Sequence, residues 1–340
     1  MSMTNRLRNI QYCLVTKFCM VLLFALNSVQ CGMLKNPQAT KYTQMEKLAL
    51  QNDPQAQFWL ANNYWRGGEG VPKDLNKALY WEQKAAEQKH PEAQYRMGVR
   101  YEDGYHVEKN SRVAIKWYEA CANNGFGKWQ SDAQASLGLR CLEGDGVTPD
   151  PLKAYEWYSK SALQGNDSSL FFISALLLNK KDKEDQLIGR VMLETAASKG
   201  LPQAQCRLAL YYSDGMFLSP DFSSAMTWAR KASDQGYARA QCLLGNFLLE
   251  GRGGEKDEKK AAMWCIKAAE QGDSEAQVLV AKLYTEGRGV PADKGMAKYW
   301  IKKWASSASS KAEQDFKKNK ITTKELNKIR EMVTQVEKLP

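Results

Sequence analysis

The sequence predicts an all-α fold: an α/α solenoid of seven stacked helical hairpins with a capping helix at each end. Three observations predict it. An Ala-Gln pair, or a lone substitute for it, recurs every 35 to 40 residues at Ala56, Ala93, Ala133, Ser169, Ala204, Ala240 and Ala276. A helix-capping residue recurs in step with it, at Asp74, Asn110, Asp150, Asp185, Asp221, Asp257 and Asp293. Seven residues beyond each cap stands Trp81, Trp117, Trp157, Met192, Trp228, Trp264 or Trp300. A fixed period of this length marks a repeat architecture, in which a thin hairpin hides its apolar side only by stacking on the next.

The first helix of each unit, helix A, starts at the marker. Four residues on is an apolar side chain, Leu60, Met97, Leu137, Ile173, Leu208, Leu244 or Val280. One further is always a small residue: Ala61, Gly98, Gly138, Ser174, Ala209, Gly245 or Ala281. Eight after the marker comes Tyr64, Tyr101, Cys141, Leu177, Tyr212, Leu248 or Tyr284. These offsets share one side of an α-helix, and the small residue requires something pressed against the backbone there. A glycine-bearing loop follows, as in Glu143-Gly144-Asp145-Gly146 and Glu286-Gly287-Arg288-Gly289. The capping residue then accepts the free N–H groups of the second helix, helix B. Helix B carries a small residue four after the cap (Ala78, Ala261 and equivalents) and the tryptophan on its buried face. It ends near Gly165, Gly200, Gly236 and Gly272, where left-handed geometry reverses the chain.

The units run 54–90, 91–130, 131–166, 167–200, 201–236, 237–272 and 273–305. Residues 32–53 read as an N-terminal capping helix. At the other end Trp304 replaces the small residue that earlier repeats carry, which closes the array. A Ser-rich link, Ser306 to Ser310, leads to an amphipathic capping helix from Thr323 to Lys338 within 306–340. Its Leu326, Ile329, Val333 and Val336 are suited to cover the exposed last face. Residues 1–31 place Arg6, Arg8 and Lys17 before an apolar run from Phe18 to Leu26, the order of an export signal and too short to span a bilayer. Any membrane contact is expected through this segment alone. Cys31 is a candidate for lipid attachment, with Gln30 and Ser28 departing from that pattern. The other cysteines past the signal form no Cys-x-x-Cys and read mostly as small buried apolar residues. A net charge of +10 is dispersed, with no basic stripe or motif, so no nucleic-acid partner is expected.

The string Asp257-Glu258-Lys259-Lys260-Ala261-Ala262-Met263-Trp264, followed by Lys267-Ala268-Ala269-Glu270-Gln271-Gly272, resembles the Sel1-like repeat, a cousin of the tetratricopeptide repeat. The resemblance runs from Pro54 to about Ala305. The fourth unit departs, with Gly189 and Met192 in place of Ala and Trp, and the second carries an insertion around Gly125 to Gln130. The resemblance implies a right-handed superhelix and a non-enzymatic adaptor or scaffold. Bacterial members are often exported and act in envelope signalling or host contact, so the periplasm, cell envelope or medium is the expected location. A cysteine-rich branch linked to penicillin binding gives a hydrolase-like alternative, and a lipid-tethered assembly factor is a third.

The residues show no catalytic constellation. His90, in a turn, and His106, in a loop, read as surface histidines without an orienting partner. No serine lies three residues before a lysine, so the Ser-x-x-Lys arrangement is absent. No zinc spacing and no phosphate loop occur, and no metal or cofactor is expected. In related superhelices helix A lines the concave wall. That wall here offers Phe58, Trp59, Tyr95, Arg96, Phe172, Arg207 and Leu243, with Arg100 and Arg140 at its border. Aromatics beside arginines suit a carboxylate-bearing peptide or acidic protein surface. The same side chains are equally placed to seal one repeat against the next.

Overall fold

A computed structural model of the protein describes residues 37–67, 71–216 and 219–317, together with Asn327. The described residues form helices and loops, with no strand among them. They divide into two compact units that part at Asp150 and Pro151. The first holds α1 (Pro37–Leu50), α2 (Pro54–Arg66), α3 (Leu75–Glu87), α4 (Pro91–Asp103), α5 (Ser111–Asn124) and α6 (Gly127–Glu143). The second holds α7 (Pro151–Leu163), α8 (Asp167–Leu178), α9 (Lys183–Ser198), α10 (Pro202–Asp214) and α11 (Phe222–Asp234). It continues with α12 (Ala238–Glu250), α13 (Glu258–Glu270), α14 (Ser274–Glu286) and α15 (Lys294–Lys317). Within each unit every helix packs on the one before it. The proposed signal, Cys31 and the 323–338 capping segment, Asn327 apart, lie outside the described residues.

The repeating residues take repeating bonds. The marker glutamine turns inward: Gln57, Gln94, Gln205, Gln241 and Gln277 each donate a side-chain N–H to the carbonyl eight residues earlier, at 3.0 to 3.3 Å. Each thus satisfies an end carbonyl of the preceding helix B, or of α1 in the case of Gln57. Three of these glutamines also accept an amide N–H from the end of their own helix B, in Gln88–Gln57, Gln235–Gln205 and Gln271–Gln241. The cap residues close the inner loop: the N–H of Asp74, Asn110, Asp150, Asp221, Asp257 and Asp293 donates to the carbonyl at the eighth position of helix A. The small residue of helix A meets the position eight past the cap. A Cβ on Gly98 would lie 2.5 Å from the Tyr118 ring, and one on Gly245 would overlap Cys265 Sγ. The second glycine of the loop answers to the neighbouring repeat, since a side chain on Gly289 would run into the Glu258 carbonyl of α13.

Five expectations are corrected. In the fourth unit helix B begins earlier, capped by Asp182; Asp185 sits inside the first turn, paired with Lys180 at 3.0 Å. Without the glycine loop the chain has too few residues to swing wide, so the helix starts sooner. The insertion after α5 is helical from Gly127 and lengthens α6 at its start. Ser306 to Ser310 do not break the chain; they lie within α15, flanked by Ala305 and Ala308, and serine is tolerated in a helix that alanines support. The tryptophans of helix B are half-buried, Trp300 excepted. The core stripe runs through four, eight and eleven past the cap, which leaves seven at its border. There a lysine three residues on covers the ring, as in Trp157–Lys160, Trp228–Lys231 and Trp264–Lys267 at 4.1 to 4.7 Å. His90, read as a surface residue, is buried as the N-cap of α4.

Candidate functional site

Two adjoining grooves open on the A-helix side of the first unit. One, of about 410 Å³, lies between α1 and α2 and is lined by Met45, Leu48, Gln55, Phe58, Trp59 and Asn62, among others. The second, of about 250 Å³, is lined by Gln55, Phe58, His90, Pro91, Glu92, Phe126 and Trp129. Gln55 and Phe58 belong to both, so the two form one trough stepped at Phe58. The floor is fixed by ring stacking. His90 lies 4.4 Å from Phe58 at an interplanar angle of 25°, its Nδ1 accepts the Ala93 N–H, and its Nε2 meets Gln55 Oε1 at 3.2 Å. Burial, and then the nearby Arg96 charge, push the His90 pKa below that of a free imidazole. Lys41 stands over the Trp59 ring at one end and Lys128 over the Trp129 ring at the other, each at 5.3 Å. Phe126 is 78% exposed beside the second groove.

Several nominated wall residues turn out to join repeats. Arg96 bonds Asn62 and Glu92, each at 2.6 Å, with its guanidinium 4.9 Å from the Phe58 ring. Arg100 pairs with Glu82 at 2.5 Å and its guanidinium lies over the Trp65 ring at 3.8 Å. Glu82 is fully buried, and Trp65 Nε1 donates to its Oε2 at 3.3 Å. Arg140 is buried among Glu102, Glu143 and Asp145 at 2.9 to 3.3 Å. Glu102 in turn accepts the Tyr118 hydroxyl at 2.6 Å; burial, and then this bond, raise that phenol's pKa. Tyr95 packs between Tyr118 and Trp129 at 5.7 and 5.5 Å. These arginines already hold carboxylates of this chain, because desolvating a guanidinium at a repeat junction requires an opposite charge beside it. Among the nominated residues of this unit, Phe58 and Trp59 line the trough.

In the second unit Phe172 stacks on Tyr158 at 4.9 Å and 12°, and Leu243 packs beside Cys206, Ala232 and Ala240. Both seal helices. Arg207 is exposed, 5.8 Å from the Tyr211 ring.

Three parts of the trough escaped the sequence reading. Met45 and Leu48 come from α1, which carries no marker of its own. Gln55 and Glu92 stand one residue before the marker, at a position without a side-chain pattern. Phe126 and Trp129 come from the insertion; two aromatics in six inserted residues were the available signal.

The Sel1 repeat family model matches residues 54–90, 91–126, 131–166, 202–237, 238–273 and 274–309. The stretch it leaves out contains the divergent fourth unit. The crystal structure of a Sel1 repeat protein from Oxalobacter formigenes is 27% identical, with a TM-score of 0.65, covering 74% of this chain and 99% of that one. Chitin synthase regulatory factor 3 of Schizosaccharomyces pombe is 28% identical over 49% of this chain and 16% of its own length. Chitin synthase regulator SKT5 of Saccharomyces cerevisiae is 36% identical over 30% of this chain and 14% of its own. The chain therefore spans less than a fifth of either yeast relative. With most of its length matched and its cap, loop and glutamine bonds repeating in register, the chain belongs to the Sel1 repeat family, whose members generally mediate protein–protein interaction.

Proposed function

We propose that this chain is a non-enzymatic adaptor that holds an extended segment of a partner protein along the trough of its first unit. The supporting observation is the pair of aromatic-lined grooves meeting at Phe58. Apolar side chains of the partner fill the grooves, and acidic residues on either side of them meet Lys41 and Lys128. The acidic character expected of the partner thus rests on these two lysines, since Arg96, Arg100 and Arg140 are engaged internally. The yeast relatives named as regulators of an enzyme agree with a chain that acts by binding.

Screening the full chain against a peptide library tests this reading. Enrichment of aromatic or aliphatic pairs flanked by Asp or Glu is expected. Trp59→Ala and Phe126→Ala should each weaken binding about ten-fold or more, the usual effect of removing an aromatic anchor. Peptides that bind both variants as tightly as the parent would place the surface elsewhere. Incubation with a labelled β-lactam should leave no covalent adduct, which separates the adaptor from the hydrolase-like alternative. Export of the chain, and a role in the bacterial envelope or in host contact, form part of the proposal, supported by the basic-then-apolar order of residues 1–31. The mass of the mature N-terminus distinguishes a freely exported form from one tethered by lipid at Cys31.

A further inference from the structure

The last repeat leaves open a surface that the repeat before it buries. A groove of about 580 Å³ lies between α14 and α15, lined by Val278, Ala281, Lys282 and Thr285 on one side and Lys294, Ala297, Lys298 and Ile301 on the other. The equivalent positions one repeat earlier are covered by α14 and its loop: Cys242, in the place of Val278, is 2% exposed, whereas Val278 is 41% exposed. Cys265, in the place of Ile301, is fully buried. The groove is thus where the next A helix of the array would sit.

We propose that residues 323–338 of this chain dock there as a surrogate A helix, with Val333 and Val336 against Val278 and Ile301. Three observations select this occupant. The segment carries Leu326, Ile329, Val333 and Val336 on one helical stripe, and Thr322 with Glu325 is a capping-box start. Asn327, opposite that stripe, is helical and exposed. Charge agrees as well, since Glu337 borders the stripe and Lys282 and Lys298 border the groove.

Hydrogen exchange on the full chain tests the docking. Val333→Asp with Val336→Asp should speed exchange about ten-fold in peptides covering 278–285 and 294–301, leaving α10 to α13 unchanged. Unchanged exchange at the groove would overturn the proposal. A second variant, Val278→Cys with Val336→Cys, should form a disulfide within one chain under mild oxidation, because Val278 is exposed and its replacement is tolerated. If cross-linking gives only dimers, or if groove protection rises with protein concentration, a second copy is the occupant and the proposal fails. Both readouts are independent of the trough in the first unit.

Discussion

Gln57 reaches back eight residues to the carbonyl oxygen of Ala49 at 3.0 Å and accepts the amide of Gln88 at 2.6 Å, so one buried side chain joins the ends of three helices. Replacing it with Leu strands a buried carbonyl and a neighbouring amide together. A buried group left without its bond costs about 1–3 kcal/mol. Gln57→Leu should therefore lower the unfolding free energy of the first unit, read by urea denaturation, by that amount, and a value equal to the parent's would show that the ladder contributes nothing.

Glu82 and Arg100 form the most enclosed ion pair in the first unit, the carboxylate fully buried and the guanidinium side chain 11% exposed. Glu82→Ala leaves that cation facing Trp65 without a counter-charge, a loss of about 3–5 kcal/mol. Replacing both partners with Leu should recover most of the loss, because two apolar side chains need no counter-charge. A double variant no more stable than Glu82→Ala, measured by denaturant unfolding, would contradict this account.

His90 gives stability a slope with pH. In the unfolded chain it takes up a proton near pH 6.5. In the fold, burial and then Arg96 hold its pKa lower, and its Nδ1 lone pair is occupied as the cap of α4. Between those two values the unfolded state binds more protons. The contribution of His90 is therefore fully present above about pH 6.5 and is lost as pH falls through the folded value. His90→Asn keeps a capping oxygen without the titration. Its stability should change less than the parent's between about pH 7.5 and about pH 5.5, a window set by the imidazole. Equal slopes would assign the pH dependence to another group.

Cys121, Cys206 and Cys265 are buried free thiols, and desolvation raises them to about 12, about 11 and about 12. Cys141 and Cys242 are also buried and in no disulfide. The thiolate is the reactive species, so alkylation at neutral pH should spare these five positions in the native protein. Peptide-level mass spectrometry should find them modified only after denaturation. Rapid native labelling of Cys242 would show that the α12 and α13 packing opens readily.

Gly98 sits under the ring of Tyr118, where a new Cβ would lie 2.5 Å from Cε1. Gly98→Ala should cost about 1–3 kcal/mol through overpacking. Pairing it with Tyr118→Leu, which opens space but releases the bond to Glu102, should reduce that cost. Additive losses in thermal or denaturant unfolding would mean that the two residues do not press on each other.

The sequence by itself determined the repeat, its register, the turn glycines and the helix B caps outside the fourth unit. A helix period, an N-cap and a left-handed glycine are local requirements, and seven copies of them reinforce one another. It also singled out the fourth unit, where Gly189 and Met192 break the pattern. Only the tertiary structure decided whether an arginine on helix A meets a partner or the neighbouring repeat. Arg96 and Arg207 occupy the same position of helix A, three after the marker, yet one bonds Asn62 and Glu92 and the other is exposed. The difference comes from residues elsewhere in the array: Asn62 in the preceding repeat and Glu92 ahead of the marker, where the fifth unit has Ala175 and Gln203. The trough has the same origin, because α1, the second repeat and an inserted Phe126 come together there only after the hairpins stack.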